Sequence, residues 1–300
     1  MNEPLMKLLD TERHPYGFRF DWTYRLSDHL ANTGKSILDT KITSIDVHNA
    51  MECPGLWAAS NESNAVTRRV AYGGQQAIMT RQVARSWMRA TLQSPVRPFT
   101  YVESQLNDVS WMTPEQERWI SRQNFEERME TVGEISTVLS RIGKDIKFER
   151  FKSSAVVGMR ENNIEFGNLT LISDDVDLCV GTHKIEEEGA WAKTVLLSFV
   201  SDKPTGSDLE KLGFSVAMHT MTTGCPPALV VAYGLFDGMR IYIDVDADWV
   251  ETEIGKIIAT AKTINRIRSG EEPSYIPGEY CERCPLNMSC EYSGHGRRRF

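Results

Sequence analysis

The sequence predicts an α/β fold with a central mixed sheet flanked by helices, and three observations predict it. Apolar residues recur at helical spacing through most of 42–147, the period shortens to β-prone runs between Phe148 and Val200, and helix and strand patterns alternate beyond 208. A chain of 300 residues can bury a substantial core, and one elaborated domain over 41–292 is expected, between an N-terminal extension (1–40) and a short basic tail (293–300).

The extension reads as irregular, with His14-Pro15-Tyr16-Gly17 as a turn and Phe18, Phe20, Trp22 and Tyr24 as aromatics that dock on the body. A helix is expected over 42–57, with Ser44 and Asp46 as caps and Ile45, Val47, Ala50 and Met51 as its apolar positions before Cys53-Pro54. A longer helix follows over 74–92. Residues 113–147 read as a charged, exposed helical layer, with Pro114 suited to a first turn. Strands are expected at 154–157, 169–172, 176–180 and 194–200, then a helix over 208–222, strands at 228–235 and 240–245, and a helix over 249–269.

Composition narrows the function. Apolar residues make up 41% and charged residues 25%, as in ordinary globular proteins. No run approaches the roughly 20 apolar residues of a membrane helix, and Met-Asn-Glu-Pro-Leu-Met-Lys lacks a signal-peptide core, so a cytoplasmic protein without a membrane partner is expected. A net charge of −7 argues against coating duplex DNA, because such binding needs many lysines and arginines on phosphates. Any nucleic-acid contact is therefore local.

Six cysteines in a reducing compartment read first as metal ligands or packing residues. Cys281, Cys284 and Cys290 form a Cys-x2-Cys-x5-Cys series in a turn-rich tail, and a tetrahedral site or a cubane needs a fourth ligand, for which Cys53 is the candidate. Four thiolates suit either structural zinc or an iron–sulfur cluster. Cys179 and Cys225 lie in apolar contexts and read as buried thiols.

Arg81, Arg85 and Arg89 recur every four residues and form one helical stripe, preceded by Arg68 and Arg69. Such a stripe could track a phosphate backbone, with Trp57 or Trp87 stacking on an unpaired base; the alternative is a solvated basic face with core tryptophans. Arg297-Arg298-Arg299 is a weaker basic feature. His183 and His219 have no partner at ligand spacing and receive no role.

A Cys-Pro at the end of an early helix, a sheet in the middle and a C-terminal Cys-x2-Cys-Pro-x4-Cys together resemble the iron–sulfur branch of the RecB-like PD-(D/E)XK nucleases, over about 42–292. That branch includes the CRISPR-associated RecB-like exonucleases and the AddB nuclease domain. The resemblance implies a restriction-endonuclease-like core closed by a 4Fe–4S cluster on Cys53, Cys281, Cys284 and Cys290. It also implies cleavage of single-stranded DNA ends with Mg²⁺ or Mn²⁺ in active members.

The catalytic slots depart from the family. Cleavage needs carboxylates to hold the metal and a lysine to steady the attacking water. Asp177 falls where the resemblance puts the first aspartate. On the next strand the carboxylate slot falls on Ser198 and the lysine slot on Val200, and neither can do the chemistry. The helix glutamine and tyrosine fall near Glu210 and Phe214, or Lys211 and Ser215, and the histidine of the first helical motif falls on Ile78 or Ala77. The expectation is a degenerate nuclease domain that binds single-stranded DNA or scaffolds a larger assembly with protein partners. The alternatives are an active exonuclease with a relocated site on Asp177, Asp202 and Lys203, and a zinc-stapled structural protein.

Overall fold

In the computed structural model, residues 20–62, 72–148, 155–158, 163–172, 176–181, 194–201 and 203–278, with Cys281, Cys284 and Cys290, are described. They form two mixed sheets and the helices packed on them. The first half is mostly helical: α1 (Phe20–Lys35), β1 (Thr40–Ile42), α2 (Ser44–Glu52), α3 (Pro54–Glu62), α4 (Tyr72–Gln93), α5 (Pro98–Asn107), α6 (Pro114–Ser121) and α7 (Phe125–Asp145). The second half carries β2 (Ala155–Val157), β3 (Asn163–Phe166), β4 (Leu169–Ile172), β5 (Leu178–Val180), β6 (Val195–Val200), α8 (Gly206–Thr223), β7 (Leu229–Gly234), β8 (Arg240–Asp244) and α9 (Ala247–Arg268).

The five-stranded sheet has the order β2-β5-β6-β7-β8. Among the described strands its one parallel pair is β6–β7, and α8 supplies the crossover that a parallel pair requires. Side chains alternate across this sheet. Leu178, Val180, Leu197, Phe199, Val231 and Tyr233 join α4, α5 and α7 in one core, whereas Cys179, Leu196 and Val230 join α1, α8 and α9 in the other. Helices therefore cover both faces, and the strands read as nearly continuous apolar runs because both faces are buried.

Several expectations need correction. The single sheet is two: β4, expected with the others, pairs instead with β1 (parallel) and β3 (antiparallel) in a second sheet. The N-terminal extension is not irregular where it is described, since α1 buries Trp22, Leu26 and Leu30, although Tyr24 stays exposed. The 42–57 helix is interrupted. Thr43, not Ser44 or Asp46, is the cap of α2, in a reciprocal capping box with Asp46. Pro54 forbids a helical residue before it, so Cys53 is extended (φ −161°, ψ 111°) and α3 starts afresh at Pro54.

The 113–147 stretch is likewise broken, by a second capping box between Asn124 and Glu127 that starts α7. It is more than an exposed layer, because α7 buries Val132, Ile135, Leu139 and Ile142 at helical spacing against the sheet.

Candidate functional site

Asp177 stands just before β5, where the register pairs Leu178 with Leu197, so it lies beside Ser198 on β6. Its side chain is fully buried, at 0% exposure. Burial of a carboxylate is costly unless every oxygen is bonded, and here both are. The Phe199 amide donates to Oδ2 at 2.6 Å and the Ser198 hydroxyl donates to the same oxygen at 3.2 Å. From α4, the Arg81 Nε donates to Oδ1 at 2.8 Å and Oδ2 at 3.0 Å, and the Arg85 Nε also donates to Oδ1. Arg81 further donates from Nη2 to the Ser198 Oγ at 3.2 Å.

The i,i+4 spacing on α4 is what lets two guanidinium groups converge on one carboxylate. One turn on, the Arg89 Nε donates to the Val157 carbonyl at 3.2 Å, and its Nη2 lies 2.7 Å from where a Cβ on Gly158 would stand. The stripe is thus anchored on the sheet rather than standing in solvent: Arg81 keeps 36% side-chain exposure, Arg85 only 14%, and Arg89 is exposed while bonded to β2. This arrangement was not visible in the sequence. The spacing showed a stripe, but no local pattern shows which strand end the stripe will meet.

The other slots are spread apart. Lys203 lies exposed beyond β6, and Asp202 is outside the described residues. Glu210, Lys211 and Phe214 line a pocket of about 190 Å³ with Glu253 and Lys256 of α9, on the opposite side of the sheet from α4. Trp57 is buried with its Nε1 donating to Asp46 at 2.9 Å, and Trp87 is buried with its Nε1 donating to the Val96 carbonyl at 3.1 Å. Both are core residues, so neither offers a stacking face. His219 is buried, while Arg68, Arg69, His183 and Arg297–Arg299 lie outside the described residues.

A second locus surrounds Cys53. All six cysteines are thiols outside any disulfide. The Cys53 Sγ is buried against 274–276, donating to the Ser274 carbonyl at 3.9 Å and accepting the Ile276 amide at 3.5 Å. The Gly55 amide also donates to the Ser274 carbonyl at 3.0 Å. Gly55 permits this docking, since a Cβ there would stand 2.3 Å from the Tyr275 ring. The chain then turns so that the Gly278 amide donates to the Cys281 Sγ at 3.3 Å and the Cys284 amide to the Cys281 carbonyl at 3.2 Å.

The sequence ends of the predicted cysteine set are thus linked through 274–278. The Cys53 and Cys281 sulfurs each accept a backbone amide from the 276–278 segment, and cysteine sulfur is a donor type that suits a zinc or iron–sulfur group. Among the described residues, however, no three Cys, His, Asp or Glu side chains converge in a metal-holding arrangement. Cys179 and Cys225 are buried, and burial pushes the Cys179 thiol up to about 12, which keeps it protonated and inert.

No protein-family model and no curated protein matches the chain. Among solved structures, the crystal structure of SSO0001 is similar at a TM-score of 0.35 and 11% identity, over 90% of this chain and 96% of that one. A likeness that slight assigns neither family nor function. No helix among the described residues is long and apolar enough to cross a membrane.

Proposed function

We propose that this chain is a non-catalytic relative of the iron–sulfur RecB-like nucleases, serving as a scaffolding module in a larger assembly with at most local contact to single-stranded DNA. One observation carries the reading: Asp177, the carboxylate expected to hold Mg²⁺ or Mn²⁺, is fully buried and already paired with Arg81 and Arg85. A divalent cation would have to displace two guanidinium groups from a buried position, and the neighbouring slot offers it only the Ser198 hydroxyl. Mg²⁺ prefers a cage with more than one anionic ligand or a substrate phosphate. The arginines supply countercharge without the chemistry.

The net charge of −7 and the inward turn of Arg81 and Arg85 favour a protein partner over a nucleic acid as the main contact. In this reading Cys53, Cys281, Cys284 and Cys290 hold a 4Fe–4S cluster whose binding free energy adds to folding. The N–H donors on Cys53 and Cys281 support it.

The test is anaerobic purification, followed by iron, sulfide and zinc analysis and digestion of single-stranded DNA with Mg²⁺ or Mn²⁺. The reading predicts about four irons per chain and no cleavage. Zinc in place of iron would support the structural-zinc alternative. Cleavage lost on mutating Asp177, Asp202 or Lys203 would establish a relocated active site.

A further inference from the structure

Between α2, α8 and α9 lies a buried carboxylate that the fold leaves half satisfied. Glu253 of α9 keeps only 4% side-chain exposure, on a helix whose neighbouring positions Val250, Ile254 and Ile257 belong to the core. Its Oε1 accepts the Lys256 ammonium at 2.7 Å, and no described residue donates to its Oε2. An unbonded oxygen on a buried carboxylate is costly. The sequence also gives up a side chain to make room for it, because a Cβ on Gly213, in the middle of α8, would stand 2.4 Å from Oε2 and 2.3 Å from the carboxyl carbon. Glycine in a helix interior costs about 1 kcal/mol relative to alanine. Both costs are offset if a ligand completes Oε2.

The surroundings define that ligand. Glu253 lines a pocket of about 190 Å³ whose apolar walls are Val47 and Met51 of α2 and Phe214 of α8. Pockets for drug-sized molecules run to about 300–1,000 Å³, so this one suits a molecule of a few carbons. Each basic group around it is already matched by an acid of the chain: Lys256 by Glu253, Lys211 by Asp208 at 3.6 Å, and His48 by Glu52 at 3.4 Å. Glu210, which also lines the pocket, is exposed and has no ion pair among the described residues. It precedes Gly213 by three positions on α8, so it shares the face that meets Oε2 and stands about one helical turn away, roughly 5–6 Å. Two unmatched acidic sites are thus set one turn apart beside apolar walls.

Such a pocket calls for a cation. A bare metal ion is not matched, because among the described residues no three ligating side chains converge. A guanidinium pairs best with both oxygens of one carboxylate, and Lys256 already holds one of them. An ammonium needs only the other. We infer that this pocket binds a short linear aliphatic diamine, with one ammonium on Glu253 Oε2, the carbon chain along Val47, Met51 and Phe214, and the second ammonium at Glu210. A partner protein's lysine would bring the first ammonium without the second and leave Glu210 unmatched. The inference is independent of the Asp177 reading, since the pocket lies on the opposite side of the sheet from α4.

Isothermal titration calorimetry of the full chain at low salt, with 1,4-diaminobutane, n-butylamine and Nα-acetyl-lysine N-methylamide as titrants, tests it. Wild type should bind one diamine per chain and both monoamines about fivefold more weakly, the upper end for one exposed charge pair. Glu210→Gln should weaken the diamine about fivefold and leave n-butylamine unchanged. Glu253→Gln should weaken all three by at least about tenfold, the scale of one hydrogen bond to a charged group. Circular dichroism checks that each variant is folded, and if Glu253→Gln fails to fold, the exposed change Glu210→Gln decides. No saturable diamine binding, equal binding to wild type and Glu253→Gln, or a preference for the diamine that survives Glu210→Gln would overturn the inference. Equal affinity for the lysine amide and the diamine would overturn it in favour of a partner's lysine.

Discussion

The Nε of Arg81 donates to both carboxylate oxygens of Asp177, at 2.8 and 3.0 Å, and so ties α4 to the turn that leads into β5. Arg85 completes the pairing from one turn further along the helix. Arg85→Met leaves Asp177 paired with Arg81 but removes one charged hydrogen bond from a buried carboxylate, so it should lose about 1.5–3 kcal/mol in urea denaturation, whereas Arg89→Met, which gives up one bond from an exposed side chain to a carbonyl, should lose about 1 kcal/mol. Equal and small effects from both would mean that the pairing does not hold the fold.

The cysteine closure predicts that Cys53→Ala and Cys284→Ala lower iron content and stability to similar extents, although the residues lie about 230 positions apart. In the proposed reading a shared group would close that long loop, and losing any ligand would reopen it. A Cys53→Ala variant with full iron content and the wild-type melting temperature would remove Cys53 from the ligand set.

Gly55 offers a second approach to the same closure without touching a sulfur. Alanine is favoured over glycine in a helix by about 1 kcal/mol, while forcing a methyl into occupied space costs about 1–3 kcal/mol. With the Tyr275 ring 2.3 Å from the new Cβ, the second term should win. Gly55→Ala should push 274–276 away from Cys53 and lower iron per chain, read by iron analysis. Unchanged iron and stability would show that the tail does not depend on this contact.

Buried thiol and phenol groups set the alkaline limit of stability. Cys179 is raised from 9.0 to about 12 by burial, and Tyr233 is raised by burial and by its bond to Asp145. A group raised in the folded state contributes stability in full below its unfolded value and loses it as pH climbs towards the folded value. For Cys179 that window runs from pH 9 to about 12. Between pH 9 and about 10.5 its share of the loss is about 2 kcal/mol at 1.36 kcal/mol per unit. Cys179→Val should flatten this part of the urea-measured pH profile, and identical profiles for variant and wild type would contradict the assignment.

Much of the fold was legible because apolar period is a local signal. The helix expected over 74–92 is Tyr72–Gln93, and the strand expected over 194–200 is Val195–Val200. Pairing is not local, so nothing in Leu169–Ile172 indicated that it would leave the main sheet for Thr40–Ile42. The same limit governs the candidate site. Ser198 and Val200 could be read from residue type as groups unable to hold a metal or activate water. That Arg81 and Arg85 would turn from a surface stripe into the counterions of Asp177 depended on how α4 meets β5, a relation across about 90 residues.

The most direct measurement is Mn²⁺ titration of the anaerobically purified wild type and of Asp177→Asn, with an uncleavable phosphorothioate single-stranded DNA present, followed by the electron paramagnetic resonance signal of unbound Mn²⁺. Circular dichroism verifies that the variant is folded. If Arg81 and Arg85 supply the countercharge of Asp177, the two titrations coincide and neither protein holds stoichiometric Mn²⁺. One Mn²⁺ per chain bound by the wild type and lost in Asp177→Asn would contradict this account and make Asp177 a metal ligand.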